Sequence, residues 1–195
     1  MQRRKYTTYI IGGILGVLII FFITTFNALV KREEKVTQQW AEVQNTYQRR
    51  LDLVPNLVNV VKGVSDFEQS TLEKIAEARA AAVSGLSNTE LTADNVKKQN
   101  ELQDNLAIAT NRMIILIEKY PSLKGTAAYA GLQTQLEGTE RRIKVARSDF
   151  NEAVASYNKK VRSFPSSLAA GLFGFKTKEG FEAVAGSDKA IEIKF

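Results

Sequence analysis

The chain of 195 residues contains no cysteine and no histidine. Without cysteine it forms neither a disulfide nor a thiolate nucleophile, and such a chain is compatible with either side of a membrane. Without histidine it has no imidazole general base, no histidine-based triad and none of the usual zinc or haem ligand sets. These absences exclude the commonest catalytic sites, so we expect a protein that is not an enzyme and that binds no cofactor.

Proline is also scarce, with residues only at positions 55, 121 and 165. Apolar residues recur every three or four positions in four segments, each of which ends before or begins after a proline or a turn-rich stretch, and this is the period of an amphipathic helix. The stripes cover residues 36–54, 57–83, 96–120 and 132–164. They predict an all-α fold in which residues 31–165 form an elongated antiparallel four-helix bundle. Pro55 is expected to kink, break or restart a helix, and the choice between a kink and a hairpin stays open.

The segment from Tyr6 to Val30 contains no charged residue. Its 25 residues would form roughly 37 Å of helix, enough to cross a hydrocarbon core of about 30 Å. A cleaved signal peptide is the alternative, but no small-residue cleavage site follows Ile23. We predict a single-pass anchor over residues 1–30 that contacts membrane lipid. Basic residues flank both ends, and the free amino terminus favours an extracytoplasmic domain.

The net charge of +6 is spread along the chain instead of forming a basic arm. Arg141, Arg142, Lys144 and Arg147 follow one another around the fourth helix, with no stacking aromatic residues between them. We interpret these four residues as a solvated face and expect no nucleic-acid binding.

Residues 166–195 differ from the helical segments. Leu168–Phe175 is apolar and interrupted by glycine, whereas the end of the chain alternates like a strand. We predict an irregular or strand-like C-terminal tail. Ile191, Ile193 and Phe195 could pair with a neighbouring chain or a client protein by edge addition, and a packed or frayed terminus is the alternative.

Polar residues interrupt two of the predicted helices. The candidates for a structural or interaction role form two groups. Around the first proline they are Arg49, Arg50, Asp52, Pro55 and Asn56, and in the fourth predicted helix they are Glu140, Arg141, Tyr157 and Asn158. Inward-facing members need hydrogen-bond partners, because a buried unpaired charge costs several kcal/mol. The set is either a polar layer that fixes helix register or a surface for a partner helix.

Several longer motifs resemble the LemA family. They include residues 48–58 (QRRLDLVPNLV), 120–124 (YPSLK), 136–143 (LEGTERRI) and 174–175 (GF), and the resemblance extends from about Asn27 to Phe181. Val54 stands where the family usually has isoleucine, and Phe67 where it often has histidine. The resemblance implies a bacterial single-pass membrane protein with an elongated helical domain and no agreed reaction. It also implies possible partners among membrane proteins of envelope quality control.

Together these features predict a non-enzymatic interaction or scaffold protein of the bacterial inner membrane that self-assembles. Two alternatives stay open. One is a lipid-proximal membrane-remodelling protein that uses residues 168–175 as an interfacial element. The other is an accessory subunit of an envelope quality-control or protease system.

Overall fold

The computed structural model describes residues 2–62 and 68–181, and every regular element in these ranges is a helix. This confirms the predicted all-α class. The helices, in chain order, are α1 (Gln2–Val61), α2 (Gln69–Leu86), α3 (Ala93–Ile117), α4 (Pro121–Lys124), α5 (Ala127–Arg162) and α6 (Ser166–Phe173).

Helix α1 consists of two parts that differ in sequence pattern and in burial. Its apolar half, residues 6–30, is long and apolar enough to cross a membrane, and little of it is buried. Its domain half, residues 31–61, carries an amphipathic stripe that includes the fully buried Val36, Val43 and Leu57. The domain half extends about 46 Å at 1.5 Å per residue.

The domain half of α1 packs along α5, and α2 packs along α3. Arg32 contacts Ser156 and Arg50 contacts Glu140, so residue numbers fall along α5 as they rise along α1 and the two helices are antiparallel. One core cluster joins residues 51–61 of α1 to α2, α3, α4 and the start of α5. The other joins residues 29–47 of α1 to the later part of α5 and to α6.

Two helices begin at threonine caps. Thr92 Oγ1 accepts a hydrogen bond from the Asn95 amide at 3.2 Å, and Thr126 Oγ1 accepts one from the Tyr129 amide at 3.2 Å. Each cap pairs an amide that has no partner within its own helix. These caps fix where α3 and α5 start.

The structure changes three predictions, which concern Pro55, the second apolar stripe and the C-terminal tail. The chain neither breaks nor restarts at Pro55, because α1 continues to Val61. The second apolar stripe therefore belongs partly to α1 and partly to α2. Residues 166–173 of the predicted irregular tail form α6, whereas the predicted strand residues Ile191, Ile193 and Phe195 lie outside the described residues. A single four-helix bundle stays a prediction.

Candidate functional site: interhelical links and a C-terminal strap

Arg50 occupies an inward position on α1, one turn after Tyr47 and one turn before Val54, and only 2% of it is exposed. Its Nε donates to Glu140 Oε1 at 2.8 Å, and its Nη2 donates to Oε2 of the same carboxylate. Its Nη1 donates to the backbone oxygen and to Oε1 of Gln103, at 2.9 and 3.1 Å. One side chain therefore connects α1 to α3 and α5.

The geometry of this link explains how a cation can occupy a core position. A buried guanidinium needs acceptors for its donors, and a bidentate carboxylate is the strongest that a protein offers. The Glu140 side chain keeps 48% exposure, so the desolvation cost falls mainly on Arg50. Removing one partner of a buried pair typically costs about 3–5 kcal/mol, and partial exposure of Glu140 favours the lower end of that range.

Arg147 makes a second link between the same three helices. Its Nε donates to the Tyr47 hydroxyl oxygen at 2.9 Å, and its Nη2 donates to Asp104 Oδ1 at 2.9 Å. The guanidinium carbon also lies 5.4 Å from the ring centroid of Phe181. Burial raises the pKa of the Tyr47 phenol, although the Arg147 charge acts in the opposite direction. Tyr47 therefore remains neutral near pH 7.

The position of Arg147 corrects one sequence interpretation. Arg141, Arg142 and Lys144 are exposed as predicted, but Arg147 is partly buried. It follows Ile143 of the buried stripe by four residues, at the edge of the inward face of α5. The long aliphatic part of arginine lets its charged end reach partners from such an edge position.

A side chain of α2 pairs with the backbone oxygen that Pro55 leaves without a donor in α1. Proline has no N–H to donate to the carbonyl of Leu51, which lies four residues earlier. The Nε of Arg79 donates to that oxygen at 3.1 Å. Arg79 thus supplies the hydrogen bond that proline cannot make, and the same bond ties α2 to α1.

Residues 175–181, called here the C-terminal strap, are held along α5 by two asparagines. Asn158 Nδ2 donates to the Lys178 oxygen at 2.8 Å, and the Lys178 amide donates to Asn158 Oδ1 at 2.9 Å. Asn151 pairs with Phe181 in the same reciprocal way, at 3.1 and 2.8 Å. Seven helical residues rise about 10.5 Å and three extended residues cover about 10 Å. The strap therefore stays in register with α5 and runs antiparallel to it.

The strap side chains close the seam between α1 and α5. Lys178 Nζ lies 2.9 Å from Glu33 Oε1 and 5.6 Å from the ring centroid of Tyr157. The Phe181 ring lies 6.1 Å from the Trp40 ring, between centroids. The strap thus adds a salt bridge and an aromatic contact to the helical core.

Helix α6 packs against the apolar half of α1. The ring centroid of Phe173 lies 5.0 Å from that of Phe26 and 6.3 Å from that of Phe22. On its outer side, Leu168 is 62% exposed and Leu172 is 70% exposed. A short apolar helix is therefore fixed at the level where the apolar half of α1 ends.

The predicted site residues do not form one cluster. Arg50 and Glu140 bind each other, whereas Tyr157 and Asn158 contact the strap. The outward-facing members are Arg49, Asp52, Asn56 and Arg141. Among these, Asp52 accepts a hydrogen bond from Gln48 of its own helix at 2.8 Å.

Sequence reasoning did not single out Gln103, Asp104 or Arg79 as partners in these links. Gln103 and Asp104 lie on α3 in a polar stretch whose pairing depends on how the helices meet. Arg79 acts on a backbone oxygen that no side-chain pattern reveals. A readable signal existed only for the strap, because Asn151 and Asn158 stand seven residues apart on one helix face.

These features define an all-helical protein whose long N-terminal helix carries an exposed apolar half and a packed domain half. The chain belongs to the LemA family, since the LemA family model matches residues 39–195.

Curated relatives share low identity over most of their length. The chain is 24% identical over 195 residues to magnetosome protein MamQ of Magnetospirillum gryphiswaldense, covering 89% of this chain and 72% of MamQ. It is 23% identical over 156 residues to protein LemA of Metamycoplasma hominis, covering 80% of this chain and 68% of that protein.

Proposed function

We propose that this protein is a non-enzymatic, membrane-anchored scaffold of the bacterial envelope. The observation that carries the proposal is the continuity of α1, which joins the apolar half to the domain half without a linker. If the apolar half spans the bilayer, the domain stands on the membrane at a fixed angle and presents a surface about 46 Å long. A domain held at a fixed angle can position partner proteins, and this role requires no catalytic residue.

The interhelical links support this role. Arg50 and Arg147 each connect α1, α3 and α5, and Arg79 connects α1 to α2. Such bonds oppose sliding and rotation of the helices. We assign these polar residues to holding the shape of the scaffold, with no catalytic, cofactor or metal role.

We place the anchor in the inner membrane and the domain on the extracytoplasmic side. The partner we propose first is a second copy of the chain. Ile108 and Ile115 support this choice, because they lie seven residues apart on α3 and are 67% and 62% exposed. An envelope protein, including one of a quality-control system, would use the same surface, and nucleic acid is not among the expected partners.

The mass of the full chain in mild detergent tests self-assembly. We expect a discrete oligomer that the double change Ile108→Ser and Ile115→Ser dissociates. Deleting residues 182–195 tests the predicted terminal strand separately, and it spares the strap. A monomer at all concentrations, with no partner recovered by crosslinking, would remove the scaffold proposal.

A second candidate function is membrane remodelling near the lipid surface. It is favoured by α6, whose exposed Leu168 and Leu172 lie beside the apolar half of α1. Changing both leucines to serine should reduce the deformation of liposomes by the inserted protein. Unchanged liposome shape with and without the wild-type protein would exclude this function.

A further inference from the structure

An open groove of about 420 Å³ lies between α1, the end of α5 and the start of α6. Its basic residues are Arg32, Lys159 and Lys160, and its aromatic residues are Phe21 and Phe164. None of the described residues lining the groove is acidic. The groove therefore combines a cationic part with an apolar part.

The three cations come together from two helices. Arg32 follows the charge-free part of α1 and donates from Nη1 to Ser156 Oγ of α5 at 2.6 Å, which directs its guanidinium toward α5. Lys159 and Lys160 belong to the last turn of α5. Within residues 2–62 and 68–181, no carboxylate forms a salt bridge with any of these three cations.

The position of Lys159 and Lys160 in the last turn of α5 suggests one reason for their charge. Basic residues in a last turn complement the partial negative charge of a helix C-terminus. Here, however, Ser163 and Ser166 hydroxyls already donate to the Lys159 and Lys160 carbonyl oxygens, at 2.5 and 3.0 Å. Those carbonyls have partners without the lysine side chains, so the cations are left to attract an external anion.

The apolar part of the groove is formed by two phenylalanines. Phe21 belongs to the apolar half, ten residues before Lys31, and is half-buried. Phe164 is 82% exposed although it borders the groove. Exposed aromatic rings are common at the level of lipid headgroups, where their apolar faces meet acyl chains.

We propose that this groove binds the headgroup of an anionic phospholipid, with its phosphate between Arg32, Lys159 and Lys160 and an acyl chain against Phe21 and Phe164. The proposal rests on the anchoring role given above, because it requires the apolar half of α1 to lie in the bilayer. It adds the chemical class of lipid that the protein selects. Free phosphate shares the charge but lacks the acyl chain.

The test uses the full chain in nanodiscs of phosphatidylcholine, with or without phosphatidylglycerol. Native mass spectrometry counts the lipids that remain bound, and titration of phosphatidylglycerol into the detergent-solubilised protein gives an apparent affinity. Each basic residue near an anionic headgroup contributes about fivefold in affinity, so we expect Lys159→Gln with Lys160→Gln to weaken binding by roughly 25-fold. Arg32→Gln should weaken it about fivefold.

The matched control is Arg141→Gln with Arg142→Gln. These two cations are exposed on the same helix, and their removal lowers the net charge equally. They lie roughly 27 Å from Lys159 along α5, well beyond a screening length of about 8–10 Å. We expect this control to bind phosphatidylglycerol like the wild-type protein. An equal loss in both double variants would overturn the groove in favour of general surface attraction.

The remaining outcomes separate the lipid from its alternatives. Phe164→Ser should lower phosphatidylglycerol retention, and inorganic phosphate in large excess should fail to displace the lipid. Displacement by phosphate, or equal retention of the two lipids, would overturn the proposal while leaving membrane insertion intact. Failure of the wild-type chain to insert into either nanodisc would overturn both this proposal and the anchoring role.

Discussion

The two halves of α1 contain similar apolar residues in opposite surroundings. Ile10 and Ile14 in the apolar half are 61% and 57% exposed, whereas Leu51 and Leu57 in the domain half are fully buried. The apolar half is hydrophobic on all sides, but the domain half confines its apolar residues to one stripe and places charges elsewhere. The period of the pattern, more than the apolar content, therefore decides which half packs along the long helix α5.

The largest expected difference between the halves comes from truncating one aliphatic residue in each. Leu57→Ala removes buried methyl groups from the core cluster that residues 51–61 form with α2, α3, α4 and the start of α5, and it should cost about 2–5 kcal/mol of unfolding free energy. Ile14→Ala, made in an exposed position, should leave that free energy unchanged within about 0.5 kcal/mol. Chemical denaturation of both full-length variants in detergent measures the contrast. Equal losses would show that α1 does not divide at the end of its apolar half.

The next contrast lies inside the domain half, between two neighbouring arginines. Arg50→Ala removes the link to Glu140 and Gln103, so we expect a loss of about 3 kcal/mol. Arg49→Ala changes an exposed residue, and its effect should stay within about 0.5 kcal/mol. The same denaturation assay compares them. A small effect of Arg50→Ala would mean that the buried arginine serves helix register with little gain in stability.

A third contrast concerns the strap that covers the domain half. Asn158→Ala removes two hydrogen bonds to the Lys178 backbone and should cost about 1–2 kcal/mol. Hydrogen exchange at residues 175–181 should accelerate about 5- to 30-fold, because the strap opens more often. Asn56→Ala serves as the control, since Asn56 is exposed on α1. Unchanged exchange in the strap would show that Asn158 does not hold it.

Much of this architecture could be predicted from the sequence, because it depends on local periodicity. The apolar half, a helix start at Thr92 or Asp94 and the change of helix at Pro121 all follow from patterns within a few residues, and the structure caps α3 with Thr92. The glycines of segment 168–175 predict an irregular segment, yet residues 166–173 form α6, and Gly174 caps this helix with a φ of 76°. A glycine with positive φ commonly ends a helix, and the residues before it can still be helical.

The parts that could not be predicted depend on contacts between distant segments. The links of Arg50 to Gln103 and of Arg147 to Asp104 form only when α1, α3 and α5 come together. No local pattern identifies which polar residue of α3 will meet them. For the strap, the spacing of Asn151 and Asn158 marks the α5 side of the contact, but no local pattern identifies the backbone groups of the extended segment that pair with them.

The smallest expected effect tests why the domain half continues past Pro55. We expect that Arg79 replaces the missing donor at the Leu51 oxygen. Arg79→Met should then cost about 1 kcal/mol when Pro55 is present, which is the usual net value of one hydrogen bond. In a Pro55→Ala background the new backbone amide at this position can pair with that oxygen itself, so the cost of Arg79→Met should fall by about 0.5–1 kcal/mol.

A double-mutant cycle of these two changes measures that coupling directly. Equal costs of Arg79→Met in both backgrounds would show that Arg79 stabilises the protein through its position between α2 and α1 and not through the proline. A smaller cost in the Pro55→Ala background would instead show that α1 remains a single helix because a neighbouring helix completes its hydrogen bonding. The length of the domain half would then depend on the packing of α2 as much as on its own sequence.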